Sequence, residues 1–125
     1  MIKGIHHACI KTCNQEEYDK VVHFYTKVLG LKIAREWDTG IMFDTGNGLV
    51  EVFTNAQEPL PLGTIRHLAL ATDDTDACVK AVQAAGYEVF MGPKEISIGK
   101  ENTLNARVAF CYGPLGEEVE FFQEK

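Results

Sequence analysis

The sequence lacks any long run of hydrophobic residues and any excess of basic charge. No apolar stretch approaches the ~20 residues that a membrane-spanning helix needs, and the first four residues lack the apolar core of a signal peptide. With 12 basic against 18 acidic residues, the net charge is −6, so no basic stripe is available to bind a phosphate backbone. These absences predict a cytoplasmic protein that binds neither nucleic acid nor membranes.

Cysteine is also scarce, and its spacing excludes the usual cysteine motifs. Cys9, Cys13, Cys78 and Cys111 fit neither a zinc ribbon nor a CxxC redox pair, and a reducing compartment keeps such residues as thiols. The chain has 125 residues, of which 46% are hydrophobic. Because that length supports one core but not two ordinary independent domains, we expect a single domain over residues 1–125.

The spacing of apolar residues predicts two tandem βαβββ modules and an α+β fold class. The first module, residues 1–54, has expected strands at 1–12, 32–37, 41–45 and 49–54 and a helix from Asn14 or Gln15 to Leu29. A proline-bearing connector follows at 55–63. The second module, residues 64–125, has expected strands at 64–72, 87–91, 105–111 and 117–123, a helix from Asp73 or Asp74 to Gly86, and a long hairpin loop at 94–104.

The first strands of the two modules match residue by residue. The segment IHHACIKT at 5–12 aligns without a gap on IRHLALAT at 65–72, which places His7 opposite His67. His6 aligns with Arg66, so we assign it no role.

The last strands of the two modules also match, LVEVF at 49–53 with EVEFF at 118–122, which places Glu51 opposite Glu120. Because alternate residues of a strand share one face, the apolar neighbours of each glutamate can pack under a helix while the glutamate points to the other face. There the two glutamates can meet the two histidines.

Two imidazoles and two carboxylates form a donor set that suits one divalent ion, namely zinc, nickel, cobalt, manganese or iron. A single histidine or glutamate in a strand is more often structural than ligating. Four such residues at repeat-related positions favour a metal site made of His7, Glu51, His67 and Glu120. We therefore predict a metalloenzyme.

With these residues in place, the sequence resembles the vicinal oxygen chelate superfamily, and within it glyoxalase I. The resemblance is carried by FYTKVLGLKI at 24–33, by RHLALATD at 66–73 and by the four candidate ligands. It implies a curved mixed-sheet cleft and a lactoylglutathione lyase-like activity. In that activity, the hemithioacetal of an α-oxoaldehyde becomes a 2-hydroxyacyl thioester through a metal-bound enediolate, and Glu120 or Glu51 acts as the base.

The resemblance also implies a thiol co-substrate, glutathione or another, and a homodimer. Asn55 matches an asparagine that contacts glutathione in glyoxalase I, and Lys11 stands where the bacterial enzymes carry an arginine, so both are expected to hold the thiol part of the substrate. Two alternatives stay open. One is another isomerase or epimerase of the superfamily, which usually has glutamine at the Glu51 position, and the other is a non-catalytic protein that binds a drug or metabolite.

Overall fold

The computed structural model describes residues 1–125 except residues 2, 4, 62 and 64. Parts of the expected strands 1–12 and 64–72, and one residue of the connector, therefore lie outside the described residues. The chain divides into two compact units, Met1–Pro61 and Leu62–Lys125. Each unit contains one four-stranded sheet.

The first unit has the predicted βαβββ order. Its elements are β1 (His7–Lys11), α1 (Gln15–His23), a π-helical segment (Phe24–Val28), β2 (Lys32–Trp37), β3 (Gly40–Asp44) and β4 (Leu49–Phe53). The strand order in the sheet is β1-β4-β3-β2, with β1 parallel to β4 and the other pairs antiparallel. The first and last strands of the unit are therefore neighbours.

The second unit repeats this plan. Its elements are β5 (His67–Ala71), α2 (Thr75–Ala84), β6 (Val89–Ile98), β7 (Leu104–Tyr112) and β8 (Glu118–Glu124). The order is β5-β8-β7-β6, again with only the first and last strands parallel. The α+β class with two βαβββ modules and mixed sheets is thus confirmed.

Side-chain caps explain where the two α-helices begin. The side-chain oxygen of Asn14 accepts a hydrogen bond from the backbone N–H of Glu17, and that of Asp74 accepts one from Ala77, each at 2.9 Å. Such caps satisfy N–H groups that have no partner in the first helical turn. Of the alternatives that the sequence left open, Asn14 and Asp74 are the capping residues.

Four predicted boundaries were wrong. β1 and β5 begin only at the histidines, the continuous helix to Leu29 changes after His23 into the π-helical segment, and the loop predicted at 94–104 is mostly strand. The register of β6 and β7 continues to Ile98 opposite Leu104, so the connecting turn occupies only residues 99–103. None of the described helices is long and apolar enough to span a bilayer.

The helix side of the first sheet forms its core. Val50 and Val52 of β4 are almost completely buried, and their register partners Phe43 and Ile41 lie on the same face. Phe43 stacks on Tyr25 of the π-helical segment with ring centroids 5.5 Å apart. Since side chains alternate along β4, Glu51 points to the opposite face, as predicted.

Candidate metal centre

His7 and Glu51 are in side-chain contact on the first sheet. In the parallel β1–β4 pairing, Glu51 is the partner of Cys9, and His7 lies two residues earlier on the same face of β1. The His7 Nε2 atom is 3.3 Å from the Glu51 Oε2 atom, and the side chains are 38% and 10% exposed. The pair therefore presents an accessible imidazole beside a largely buried carboxylate.

His67 and Glu120 form an equivalent pair on the second sheet. Glu120 is the register partner of Ala69, and His67 again lies two residues earlier. The His67 Nε2 atom is 3.1 Å from the Glu120 Oε2 atom, with side-chain exposures of 39% and 10%. The repeat in the sequence therefore corresponds to a repeat in side-chain geometry.

The separation within each pair fits two donors on one ion. Metal bonds of about 2.0–2.2 Å, at octahedral or tetrahedral angles, place neighbouring donors about 2.9–3.5 Å apart. Both measured nitrogen–oxygen distances fall in this range. Within neither unit do the described residues group three or more His, Cys, Asp or Glu side chains that could hold an ion. Each pair therefore offers two donors.

Burial distinguishes the carboxyl group of Glu120. It raises the pKa of Glu120 above the usual value, and the nearby His67 opposes this change without cancelling it. A carboxylate with a raised pKa is a stronger base than an ordinary one. Glu120 therefore has a property that suits proton transfer.

Cys9 lies beside the first pair, a position that sequence reasoning did not single out. It shares a face of β1 with His7 and is paired in register with Glu51. Partial burial and the adjacent Glu51 carboxylate raise the pKa of the Cys9 thiol. Cys9 is thus a neutral thiol, which argues against a role as a nucleophile.

The other two predicted site residues have different positions. Lys11 is exposed on the same face of β1 as His7, four residues further along. Asn55 follows the end of β4 and is exposed in the loop beyond it. The structure thus places Lys11 on the face that carries the first pair, and Asn55 after the strand that carries Glu51.

An aromatic cluster of Phe90, Phe110 and Tyr112 borders the second pair and was also missed from the sequence. Phe110 is the register partner of Glu120, and its ring meets the His67 imidazole edge-on at a centroid distance of 5.2 Å. Phe90 stacks on Tyr112 at 4.3 Å and contacts Phe110 at 5.7 Å. The alternation of Phe110 and Tyr112 in β7 was the available signal. Together the three rings form an apolar wall beside the pair.

The chain matches a family model and several known proteins. The model described as "Glyoxalase/Bleomycin resistance protein/Dioxygenase superfamily" matches residues 4–121. "Lactoylglutathione lyase GLX1" of Arabidopsis thaliana is 29% identical over 119 residues, which cover 86% of this chain and 40% of that protein. The chain therefore spans well under half of the plant relatives that it matches. "Probable lactoylglutathione lyase" of Vibrio parahaemolyticus is 29% identical over 121 residues, which cover 87% of this chain and 84% of that protein.

Solved structures with the same fold include lactoylglutathione lyase from Agrobacterium tumefaciens, with a TM-score of 0.67, 18% identity, and 98% and 94% of the two chains covered. A glyoxalase/bleomycin resistance protein/dioxygenase from Alicyclobacillus acidocaldarius gives a TM-score of 0.67 at 17% identity. The match covers 98% of this chain and 92% of that one. At these identities the likeness concerns the fold alone. Because the family match extends over nearly the whole sequence and the fold agrees with it, the chain belongs to the glyoxalase/bleomycin resistance protein/dioxygenase superfamily.

Proposed function

We propose that this protein is a metal-dependent, glyoxalase-like lyase or isomerase. Its substrate is the hemithioacetal formed from an α-oxoaldehyde and a thiol, and its product is the 2-hydroxyacyl thioester. The observation that carries the proposal is the pair of repeat-related His–Glu contacts, each with a nitrogen–oxygen distance compatible with two donors on one ion. The names of the 29% identical relatives support the same reaction class.

The four residues of the two pairs would hold one divalent ion, nickel, zinc, cobalt, manganese or iron: His7, Glu51, His67 and Glu120. Neutral imidazole nitrogens and carboxylate oxygens are ligands that all these ions accept. When bound, the ion supplies Lewis-acid stabilisation of the negative charge that develops on a substrate oxygen.

Glu120 is the proposed base. Its carboxylate removes the proton from the carbon that carries the sulfur and returns it to the adjacent carbonyl carbon, while the hydroxyl proton passes to the former carbonyl oxygen, so that the substrate is isomerised without net oxidation or reduction. Burial raises the pKa of Glu120, which favours proton abstraction. Glu51 is assigned as a ligand that stays bound throughout.

The aromatic wall is proposed to hold the carbon substituent of the aldehyde. Replacing Phe110 with alanine removes a ring that lies opposite Glu120 and against His67, and thereby opens the wall. We expect the kcat/KM ratio of phenylglyoxal to methylglyoxal, each with the same thiol, to fall about tenfold, because an aromatic pair contributes about 0.5–1.5 kcal/mol beyond its buried area. An unchanged ratio in steady-state kinetics would remove the wall from substrate binding.

Lys11 and Asn55 are proposed to hold the acidic and amide groups of the thiol co-substrate. Lys11 is an exposed cation on the face that carries His7. A residue that binds ground state and transition state equally changes KM more than kcat. We expect alanine at either position to raise the KM for the hemithioacetal severalfold with little change in kcat, and an unaltered KM would refute the assignment.

The homodimer is part of the same proposal. In this proposal the ion takes both pairs from one chain or one pair from each of two chains, and a dimer is the arrangement that the family resemblance implies. A light-scattering mass of a metal-loaded monomer would exclude sharing of the site between chains.

The proposed function is tested by purifying the protein without a histidine tag, quantifying bound metals, and following thioester formation from methylglyoxal and glutathione. Bound divalent metal together with thioester formation is the expected result. Stoichiometric metal without a thioester, from glutathione or from other low-molecular-weight thiols, would discard the lactoylglutathione lyase activity and favour another isomerase or epimerase of the superfamily. Absence of metal would favour a non-catalytic binding protein.

A further inference from the structure

His6 contacts His7 directly, although the repeat gave it no role. The Nδ1 atoms of the two rings are 2.9 Å apart, and the rings are nearly perpendicular with centroids 5.2 Å apart. The backbone of His6 is fixed as well, because its carbonyl oxygen accepts a hydrogen bond from the N–H of Leu49 at the start of β4. The His6 ring is therefore held beside His7 by the strand that also carries Glu51.

We propose that His6 is a positioning residue that holds His7 in the tautomer whose Nε2 lone pair is free to bind the metal. This inference rests on the proposed function, since it concerns one ligand of the proposed metal centre. It assigns a task to a residue outside the set of four donors.

The tautomer argument follows from the two ring nitrogens of His7. Its Nε2 atom faces Glu51, and its Nδ1 atom faces His6. A neutral imidazole has one N–H, so a lone pair on Nε2 requires the proton on Nδ1. That proton then needs an acceptor, and the Nδ1 atom of His6 lies at hydrogen-bonding distance. Such outer partners orient metal-binding histidines and make them more basic.

The second module uses a different arrangement at the equivalent position. Arg66 aligns with His6, but its guanidinium lies 3.4 Å from the Glu118 carboxylate. The His67 ring instead meets the apolar edge of Phe110. Arginine has no acceptor atom, so it could not receive a proton from His67. The two histidines therefore have different neighbours, and among the described residues a second imidazole is in contact only with His7.

Three variants of the tag-free protein test the proposal by Zn²⁺ titration against a chromophoric chelator. His6→Leu removes the acceptor, whereas His6→Asn keeps one, because the asparagine Oδ1 atom is bonded to Cγ as the histidine Nδ1 atom is. Arg66→Leu is the matched control in the second module. Loss of an outer partner typically weakens metal binding about 10–100-fold. We expect this loss in His6→Leu, most of the affinity to return in His6→Asn, and no change in Arg66→Leu.

A spectroscopic measurement tests the tautomer of His7 directly. In two-dimensional ¹⁵N–¹H spectra of the Zn²⁺-loaded wild-type protein, the His7 ring is expected to carry its proton on Nδ1. A proton on Nε2, or wild-type Zn²⁺ affinity in His6→Leu, would overturn the proposal. If the wild-type protein binds no Zn²⁺, the proposed function fails and the role of His6 fails with it, whereas normal wild-type binding with unaffected His6 variants refutes the role of His6 alone.

Discussion

Glu120→Gln is expected to lower kcat by about a thousandfold while the protein still binds a divalent ion. The glutamine side chain keeps an oxygen that can act as a neutral ligand but cannot accept the substrate proton. General-base catalysis typically contributes about 10²–10⁴-fold, and a thousandfold loss corresponds to about 4 kcal/mol of transition-state stabilisation. The measurements are steady-state kinetics and metal content on the same preparation.

Glu118→Gln is the matched control for this variant. Glu118 lies on the same strand and face as Glu120, two residues earlier, and faces Arg66. Since it belongs to neither pair, the variant should keep kcat close to the wild-type value. Wild-type turnover in Glu120→Gln would remove Glu120 from the role of base, and equal losses in both variants would point to a general effect of charge on that face.

The two His–Glu contacts could be predicted because a repeat constrains more than a motif does. Each histidine lies two residues before the register partner of its glutamate, so the repeat that aligns the strands also repeats the contact. The contact between His6 and His7 could not be predicted in this way. Neighbouring side chains in a strand point to opposite faces, but His6 precedes β1 and is free of that rule.

The boundaries that sequence reasoning misplaced have local physical causes. Phe24 and Tyr25 are adjacent and both fully buried, which the π-helical segment accommodates, with the N–H of Leu29 bonded to the carbonyl of Phe24. The strand predicted at 87–91 ended before Pro93, whereas β6 continues through it to Ile98. β6 is an edge strand, where proline is tolerated, and its residue Glu95 is held by Arg107 of β7.

Alanine at His7 or at His67 is expected to abolish the metal site, and not to remove half of it. If both pairs bind one ion, the wild-type protein takes up one divalent ion per chain. Either variant then loses more metal affinity than the factor of about 100 that follows from loss of an outer partner. If each pair bound its own ion, the wild-type protein would hold two, and each variant would keep one. Titration of the metal-free protein, followed by mass spectrometry under native conditions, distinguishes these outcomes.

Mixing the two inactive variants then tests whether the pairs meet within one chain or between chains. In a dimer with shared sites, a His7→Ala chain and a His67→Ala chain together make one intact site and one doubly altered site. Random reassociation makes half of the dimers mixed, so about a quarter of the wild-type sites and activity should return. If both pairs of a site come from the same chain, every site stays altered and no activity returns at any mixing ratio. Recovery therefore requires a partner chain to complete the site, because neither variant alone can supply both histidines.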